Sequence, residues 1–397
     1  MSDQFPLHVE HFGPSRGTLR IALVSETYPP EINGIAYAVS RMVQGLRARG
    51  HEISLIRPRN KRSDIPLVSE RFAETLVRGA PVTINNNLKL GLPAKDELYQ
   101  LWSVRRPDLI HIATEGPLGW SALKAARKLK IPSISDFRTK FYTQHQQPGI
   151  QWLRGAVMAY LRKFHNSSQC TMVPTNELKR ELTKMGFHNL EVVPRGVDTD
   201  LFNPEKRSIA LRSSWGADDD TLVLIYIIQG NKDKHLKWIL RALKLAKSTA
   251  GNIKLVLVTN RQVKPIQKSR TEDIVTAHDL QENEWPSYLA SADLLLSPGV
   301  GDGLSNKVIE AMSSGLTIMT QTSIATSHLL INNVNSLVVP QDDESSFLTQ
   351  FVQIIGQRKM LKDVGLKARQ TAMSYEWNYV VERIEDIFQA ISSQLIH

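Results

Sequence analysis

The chain has 397 residues, 42% hydrophobic and 22% charged, with 22 Gly and 19 Pro, a composition that excludes disordered, collagenous and disulfide-stapled classes and suits about two globular domains. The single cysteine, Cys170, rules out an internal disulfide, and the lack of a long apolar run or a signal-peptide pattern over Met1–Gly17 predicts a chain that works in the reducing cytoplasm. The formal charge of +10 lies wholly in residues 1–200, with 28 Lys+Arg against 18 Asp+Glu, whereas residues 201–397 carry 21 of each. A basic first half implies either an anionic partner (nucleic acid, an acidic bilayer or a phosphorylated substrate) or an ordinary solvated surface.

In chain order, short β-branched runs alternate with amphipathic helical patterns, as in a doubly wound parallel sheet. Strands are predicted at Arg20–Val24, Glu52–Ile56, Leu109–Ile112, Pro132–Ser135, Thr171–Val173 and Leu190–Val193. The first helix is predicted over Ile35–Arg49, where Ile35, Val39, Met42, Val43 and Leu46 share one face. The stretch Asp200–Asp218 lacks a period and reads as a linker between residues 1–200 and 201–377. Beyond it, strands are predicted at Leu222–Ile228, Ile253–Val258, Ile274–Ala277, Leu294–Ser297, Leu316–Thr320 and Ser336–Val339, with helices that include Leu236–Lys247 and Lys307–Ser314. Parallel sheets bind ligands beyond the carboxyl ends of their strands, so the working site is expected in a cleft between two α/β domains.

The most informative segment is LLLSPGVGDGLSNKVIEAMSSG at 294–315. An apolar strand feeds a loop with Gly299, Gly301 and Gly303, and a helix then opens near Ser305. Such a loop lets a ligand approach the backbone closely, and the helix start favours a phosphate. A nicotinamide dinucleotide would want an acid at the end of the next strand. That strand ends in Thr320-Gln321-Thr322, which disfavours this reading. Asp302 and Glu310 lie eight residues apart, so that both carboxylates could meet the vicinal hydroxyls of a sugar lying across the helix start.

This segment resembles the E-x7-E region of family 4 retaining glycosyltransferases, with Asp302 and Glu310 in the two acidic positions. Other stretches agree: SETYPPEING at 25–34, PDLIHIATEGPLGW at 107–120, YLRKFHN at 160–166, VPRGVDT at 193–199 and SYEW at 374–377. They are most similar to the branch that holds nucleotide-mannose-dependent mannosyltransferases and glycolipid-forming enzymes. The resemblance implies the GT-B fold, two Rossmann-like domains facing across a cleft, with a last helix over about 378–397 packing back onto the first domain. It further implies retaining transfer of a mannose- or glucose-type hexose from a nucleotide diphosphate sugar to an acceptor hydroxyl. No metal or other cofactor is expected.

By the same resemblance Lys234, Glu310, Asp302 and Arg138 carry the chemistry, and Asn33, Gly34, Arg195, Gln229, Gly303, Leu304, Ser305 and Asn306 hold the donor. The chain departs from the family pattern at three places. Gln229 replaces the usual arginine ahead of Lys234, Arg138 replaces a histidine in the segment FRTKF at 137–141, and Asp302 is one methylene shorter than the usual glutamate. The charge lost at 229 and gained at 138 suggests that Arg138, helped by Arg195 or Lys232, restores the missing cation. A degenerate site that binds a nucleotide sugar or a partner without turnover is the competing reading.

The expected partners are the nucleotide-sugar donor and a glycan or lipid-linked acceptor. Peripheral contact with an anionic membrane through the basic half is a further reading. It rests on Arg57, Arg59, Lys61 and Arg62 and on the segment Gln151–Phe164, whose apolar residues also suit a core helix. A basic nucleic-acid-binding protein is the remote alternative, and no nucleic acid is expected, because aromatics are not interleaved with the basic cluster and no dedicated module is present. His111, in an apolar strand, reads as a core residue more than as an acid–base group; His145 and Glu115 are acceptor-side candidates.

Overall fold

A computed structural model describes residues 17–31, 33–61, 63–82, 85–137, 153–228, 233–246, 252–259, 272–299, 304–322 and 328–393. The first domain contains β1 (Arg20–Val24), α1 (Gly34–Ala48), β2 (Glu52–Pro58), β3 (Val68–Ser69), β4 (Phe72–Val77), β5 (Gly79–Val82) and β6 (Asn85–Gly91). It continues with α2 (Lys95–Val104), β7 (Leu109–Ile112), α3 (Pro117–Leu129), β8 (Ser133–Asp136), α4 (Leu153–His165), β9 (Cys170–Val173), α5 (Asn176–Lys184) and β10 (Leu190–Val192). Its main sheet has the order β10-β9-β8-β7-β1-β2-β4-β3 and is parallel except where β3 meets β4. The strands β7, β8 and β9 are buried along their whole length. That is the state of parallel strands covered by helices on both faces, and it is why they read as apolar runs.

The second domain holds α6 (Ile209–Ser214), β11 (Leu222–Ile227), α7 (Leu236–Ala246), β12 (Ile253–Thr259), β13 (Ile274–His278), α8 (Trp285–Ser291), β14 (Leu294–Ser297) and α9 (Leu304–Ser313). After these come β15 (Thr317–Gln321), β16 (Leu337–Val339), α10 (Glu344–Ile354), α11 (Arg358–Met373) and α12 (Trp377–Ser393). Its six strands are all parallel in the order β13-β12-β11-β14-β15-β16. In each sheet the order reverses at one point, between β1 and β7 and between β11 and β14. The loops leaving these strands diverge there and open a crevice at the carboxyl edge.

The segment between the domains is not an open linker. A 3-10 turn over Pro204–Lys206 and helix α6 fill it. The buried Arg212 ties it down by donating to the carbonyls of Asp218 at 2.7 Å, Thr221 at 2.8 Å and Ser291 at 2.9 Å. With Asp293 Oδ2 at 3.2 Å, four residues are hydrogen-bonded to this one side chain; such an anchor carries no hydrophobic period, so periodicity could not find it.

The chain crosses between domains twice, and the crossings pair with each other. Val197 N donates to Tyr375 O at 2.9 Å, and Trp377 N donates to Val197 O at 3.2 Å. A Cβ at Gly196 would stand 2.5 Å from the Trp377 ring, so the glycine gives the indole its place. From there α12 lies against α1 and the first domain's core, with Val380, Val381, Ile384, Ile387 and Phe388 packed among Leu23, Val39, Met42 and Leu46. His51 Nε2 and Arg49 Nη1 each reach the buried Glu385 carboxylate at 3.1 Å.

Candidate active site

On the second domain, β14 and the loop after it lead into α9, and the loop after β11 leads into α7. The two strands are paired from Leu224↔Leu294 to Tyr226↔Leu296. The two strands therefore end side by side at the switch point. A Cβ on Gly299 would overlap the His235 ring, so this glycine brings the two loops into contact. Lys234 precedes that histidine. Its loop is held by Asp233, which accepts from Tyr226 Oη at 2.6 Å and from His235 N at 3.0 Å. Lys234 Nζ donates to Asp342 Oδ1 at 2.6 Å, and both side chains are mostly exposed. The lysine holds the Asp342 carboxyl below its usual range. An exposed pair of this kind contributes about 1 kcal/mol or less, so Lys234 is free to exchange partners.

Glu310 lies in the second turn of α9. It is largely buried and paired with Lys307 Nζ at 2.7 Å, one turn earlier. Burial pushes its carboxyl above the usual glutamate range, and Lys307 opposes that shift. Lys307 is itself covered, with its ammonium 4.3 Å from the Trp285 ring centroid. The pair thus places a largely buried carboxylate in the second turn of α9.

The first domain meets α9 at Asn306. Asn33 caps α1, accepting from Ile35 N at 3.1 Å and Ala36 N at 2.9 Å, and Gly34 follows as the first helical residue. A Cβ on Gly34 would lie 3.3 Å from Asn306 Nδ2. Arg195 Nη1 donates to Asn306 Oδ1 at 2.9 Å. Tyr37, one turn into α1, is close enough for the Glu310 charge to help raise its phenol, whose main cause is burial. The structure therefore brings Asn33, Gly34, Arg195, Asn306 and Glu310 together, while Lys234 rests on Asp342 beside the His235–Gly299 contact. Replacing Arg195 with Ala removes a charged hydrogen bond between the two walls. Ligand affinity in the cleft is expected to fall about tenfold, measured by calorimetric titration, with little change in melting temperature.

Arg138, Gln229, Asp302, Gly303, Lys232 and His145 lie outside the described residues, as do the side chains of Leu304 and Ser305. His111 is fully buried, with Nε2 3.3 Å from Asp136 Oδ2 and its ring against Phe388, so it belongs to the core. Glu115 Oε1 stands 3.4 Å from His165 Nε2.

The sequence reading passed over Glu26, at the carboxyl end of β1. Its buried carboxylate accepts from Leu118 N at 3.1 Å at the start of α3, where the N-cap residue Gly116 has no side chain to do so. A Cβ on Gly116 would overlap that carboxyl group. Burial, with Glu115 adding to it, pushes Glu26 up to about 7. The one signal for it in the sequence is an acid two residues beyond an apolar strand. Among the described residues no group of three His, Cys, Asp or Glu is placed to hold a metal ion, and no helix is long and apolar enough to cross a membrane.

Comparison with known proteins finds the model of Glycosyltransferase Family 4 over residues 32–201 and that of Glycosyl transferases group 1 over residues 221–357. A GDP-mannose-dependent alpha-mannosyltransferase of Corynebacterium glutamicum is 28% identical over 81% of this chain and 76% of its own length. An alpha-monoglucosyldiacylglycerol synthase of Acholeplasma laidlawii is 23% identical over 76% of this chain and 80% of its own. Among solved structures, a sucrose-phosphate synthase of Thermosynechococcus elongatus superimposes with a TM-score of 0.74 at 14% identity, over 95% of this chain and 100% of that one. The two facing parallel-sheet domains are thus the GT-B fold.

Proposed function

The chain belongs to glycosyltransferase family 4, a family of retaining hexosyltransferases, and from that premise we propose that it moves a mannose- or glucose-type hexose from a nucleotide diphosphate sugar to a hydroxyl of a lipid or glycan acceptor. The observation that carries this reading is the meeting of both walls at Asn306, one turn from the largely buried Glu310. Relatives whose names specify GDP-mannose or a glucosyldiacylglycerol product support the donor and acceptor classes.

In this reading the diphosphate lies at the start of α9, where free N–H groups point outward, and against the open backbone at Gly34. Lys234 leaves Asp342 for the diphosphate, and Arg195 closes the cleft over it. Glu310 accepts hydrogen bonds from hydroxyls at the sugar end. Asp302 and Arg138 keep the roles that the sequence suggests, the second hydroxyl acceptor and the compensating cation. As the bond between the anomeric carbon and the diphosphate oxygen breaks, the acceptor hydroxyl attacks from the same face. Its proton passes to the departing phosphate oxygen. The protein's part is to stabilise the charge that develops on the leaving group and to exclude water.

A thermal-shift panel of GDP, UDP and ADP with their hexoses tests this. One nucleoside class should raise the melting temperature by several degrees when present at about a hundred times its Kd, where linkage contributes about 2.7 kcal/mol. Transfer or hydrolysis with the same ligand should follow. Stabilisation without turnover would favour the degenerate site, and no stabilisation by any of them would reject the proposal.

A further inference from the structure

The order of the first sheet reverses between β1 and β7, and two glutamates stand just beyond the carboxyl ends of those strands, Glu26 after β1 and Glu115 after β7. Glu26 N donates to Thr114 Oγ1 at 3.0 Å, which holds the two loops together. Glu26 is 6% exposed, and among the described residues its carboxylate has one hydrogen bond, from Leu118 N to Oε1. Its Oε2 therefore has no partner, which is costly for a buried polar group unless a ligand donates to it. Besides burial, the charge that raises this carboxyl is that of another carboxylate, Glu115.

Glu115 is positioned from behind. His165 is fully buried among Phe137, Phe164 and Phe187, and its Nδ1 pairs with Ser135 Oγ at 2.9 Å. That fixes the ring so that Nε2, which makes no hydrogen bond, faces Glu115 Oε1 at 3.4 Å. The Glu115 backbone is fixed as well, because Tyr160 Oη donates to its carbonyl at 2.5 Å. Tyr160 is 43% exposed and meets Trp120 edge-on at 5.9 Å. Burial raises its phenol, and the charges of Glu115 and Glu26 both reach it. The loop that carries Glu26 runs on to the wall that meets Asn306, since Thr27 accepts from Asn33 Nδ2 at 2.6 Å.

Carboxylates beside partly exposed aromatic rings suit a sugar or polyol, whose hydroxyls donate and whose C–H faces pack on the rings. The same carboxylates repel a phosphate or another carboxylate. A metal ion is disfavoured, because no group of three suitable ligands stands here among the described residues.

We propose that Glu26 and Glu115, with Tyr160 and Trp120, form an acceptor subsite that takes a neutral polyhydroxyl head and rejects an anionic one. The proposal rests on the transferase reading and narrows its acceptor class. It is tested with the full chain, the nucleotide sugar that stabilises it best, and two acceptors with the same alkyl chain, octyl glucoside and octyl glucuronide, which differ in charge at C6. The wild type should use the glucoside with a kcat/KM about tenfold or more above that for the glucuronide. Glu115→Gln should lower kcat/KM for the glucoside about tenfold, through KM, and shrink the preference to about threefold or less. Glu26→Gln, whose amide oxygen still accepts from Leu118 N, should act in the same direction.

Both variants should keep the stabilisation by nucleotide sugar, which reports on the donor side alone and shows that the fold stands. A purely structural role would lower activity on both acceptors equally and leave their ratio untouched. That outcome would overturn the proposal, as would a wild type that uses the glucuronide as well as the glucoside, or uses neither. Failure of the nucleotide panel would be a different result, since it removes the transferase reading and takes the subsite with it.

Discussion

Glu310→Gln is expected to lower kcat/KM for transfer by about 10² to 10³, the size of effect seen when one well-aimed electrostatic partner is removed from an active site. The amide keeps the shape and some hydrogen bonding but loses the charge, and it leaves Lys307 covered by Trp285 without its carboxylate. Part of any loss could therefore be stability, because a charged group deprived of its partner costs about 1–3 kcal/mol. The double variant Glu310→Gln with Lys307→Met removes that second effect. It should recover the melting temperature and not the activity.

The pH profile gives a second readout of the same residue. Burial raises the Glu310 carboxyl, so the ionised form that accepts sugar hydroxyls is lost as pH falls through a value above the usual glutamate range. The acid limb of kcat/KM should lie there in the wild type. It should be absent from the residual activity of the Gln variant.

Trp377→Ala is expected to destabilise the fold by about 3–5 kcal/mol, read from chemical denaturation, as for other large aromatic truncations in a core. The indole fills the space that Gly196 leaves open, and it faces the Tyr37 ring at 6.3 Å. It also stands where the two crossings pair and where α12 turns onto the first domain. Its loss should therefore loosen the relation between the walls, and the stabilisation by nucleotide sugar should shrink with it. A conservative Trp377→Phe should recover most of both. If the Ala variant melted like the wild type, the crossing would not be the structural joint described above.

Much of the architecture was legible because parallel strands buried on both faces write themselves as apolar runs. Leu109–Ile112 and Leu294–Ser297 fall where periodicity puts them, and Arg20–Val24 begins and ends as read. The strand Phe72–Val77 escaped because its centre is Glu74, buried only through Arg57, so the alternation that a strand should show is broken by a charge. The helix Ile209–Ser214 escaped for a related reason, since its anchor is the hydrogen bonding of Arg212 and not an apolar face.

The site was legible by motif where glycine and acid positions carry the pattern, as at Gly34 and Glu310. Motif could not tell that Lys234 rests on Asp342, a contact between residues 108 positions apart. Nor could it find Glu26, whose meaning depends on Gly116 standing directly behind it. The segment Gln151–Phe164 has two readings, and the structure forms a helix there over Leu153–His165. Leu161 and Phe164 are buried, and Phe164 lies against Trp120, so one face of that helix belongs to the core.

The most direct test of the central claim is calorimetric titration of the preferred nucleotide sugar, and of its bare nucleoside diphosphate, into the wild-type chain and into Glu310→Gln. One composite site built at Asn306 by both domains predicts that the wild type prefers the sugar-bearing ligand and that the variant loses this preference while still binding the diphosphate. Equal affinities of both proteins for both ligands would contradict it.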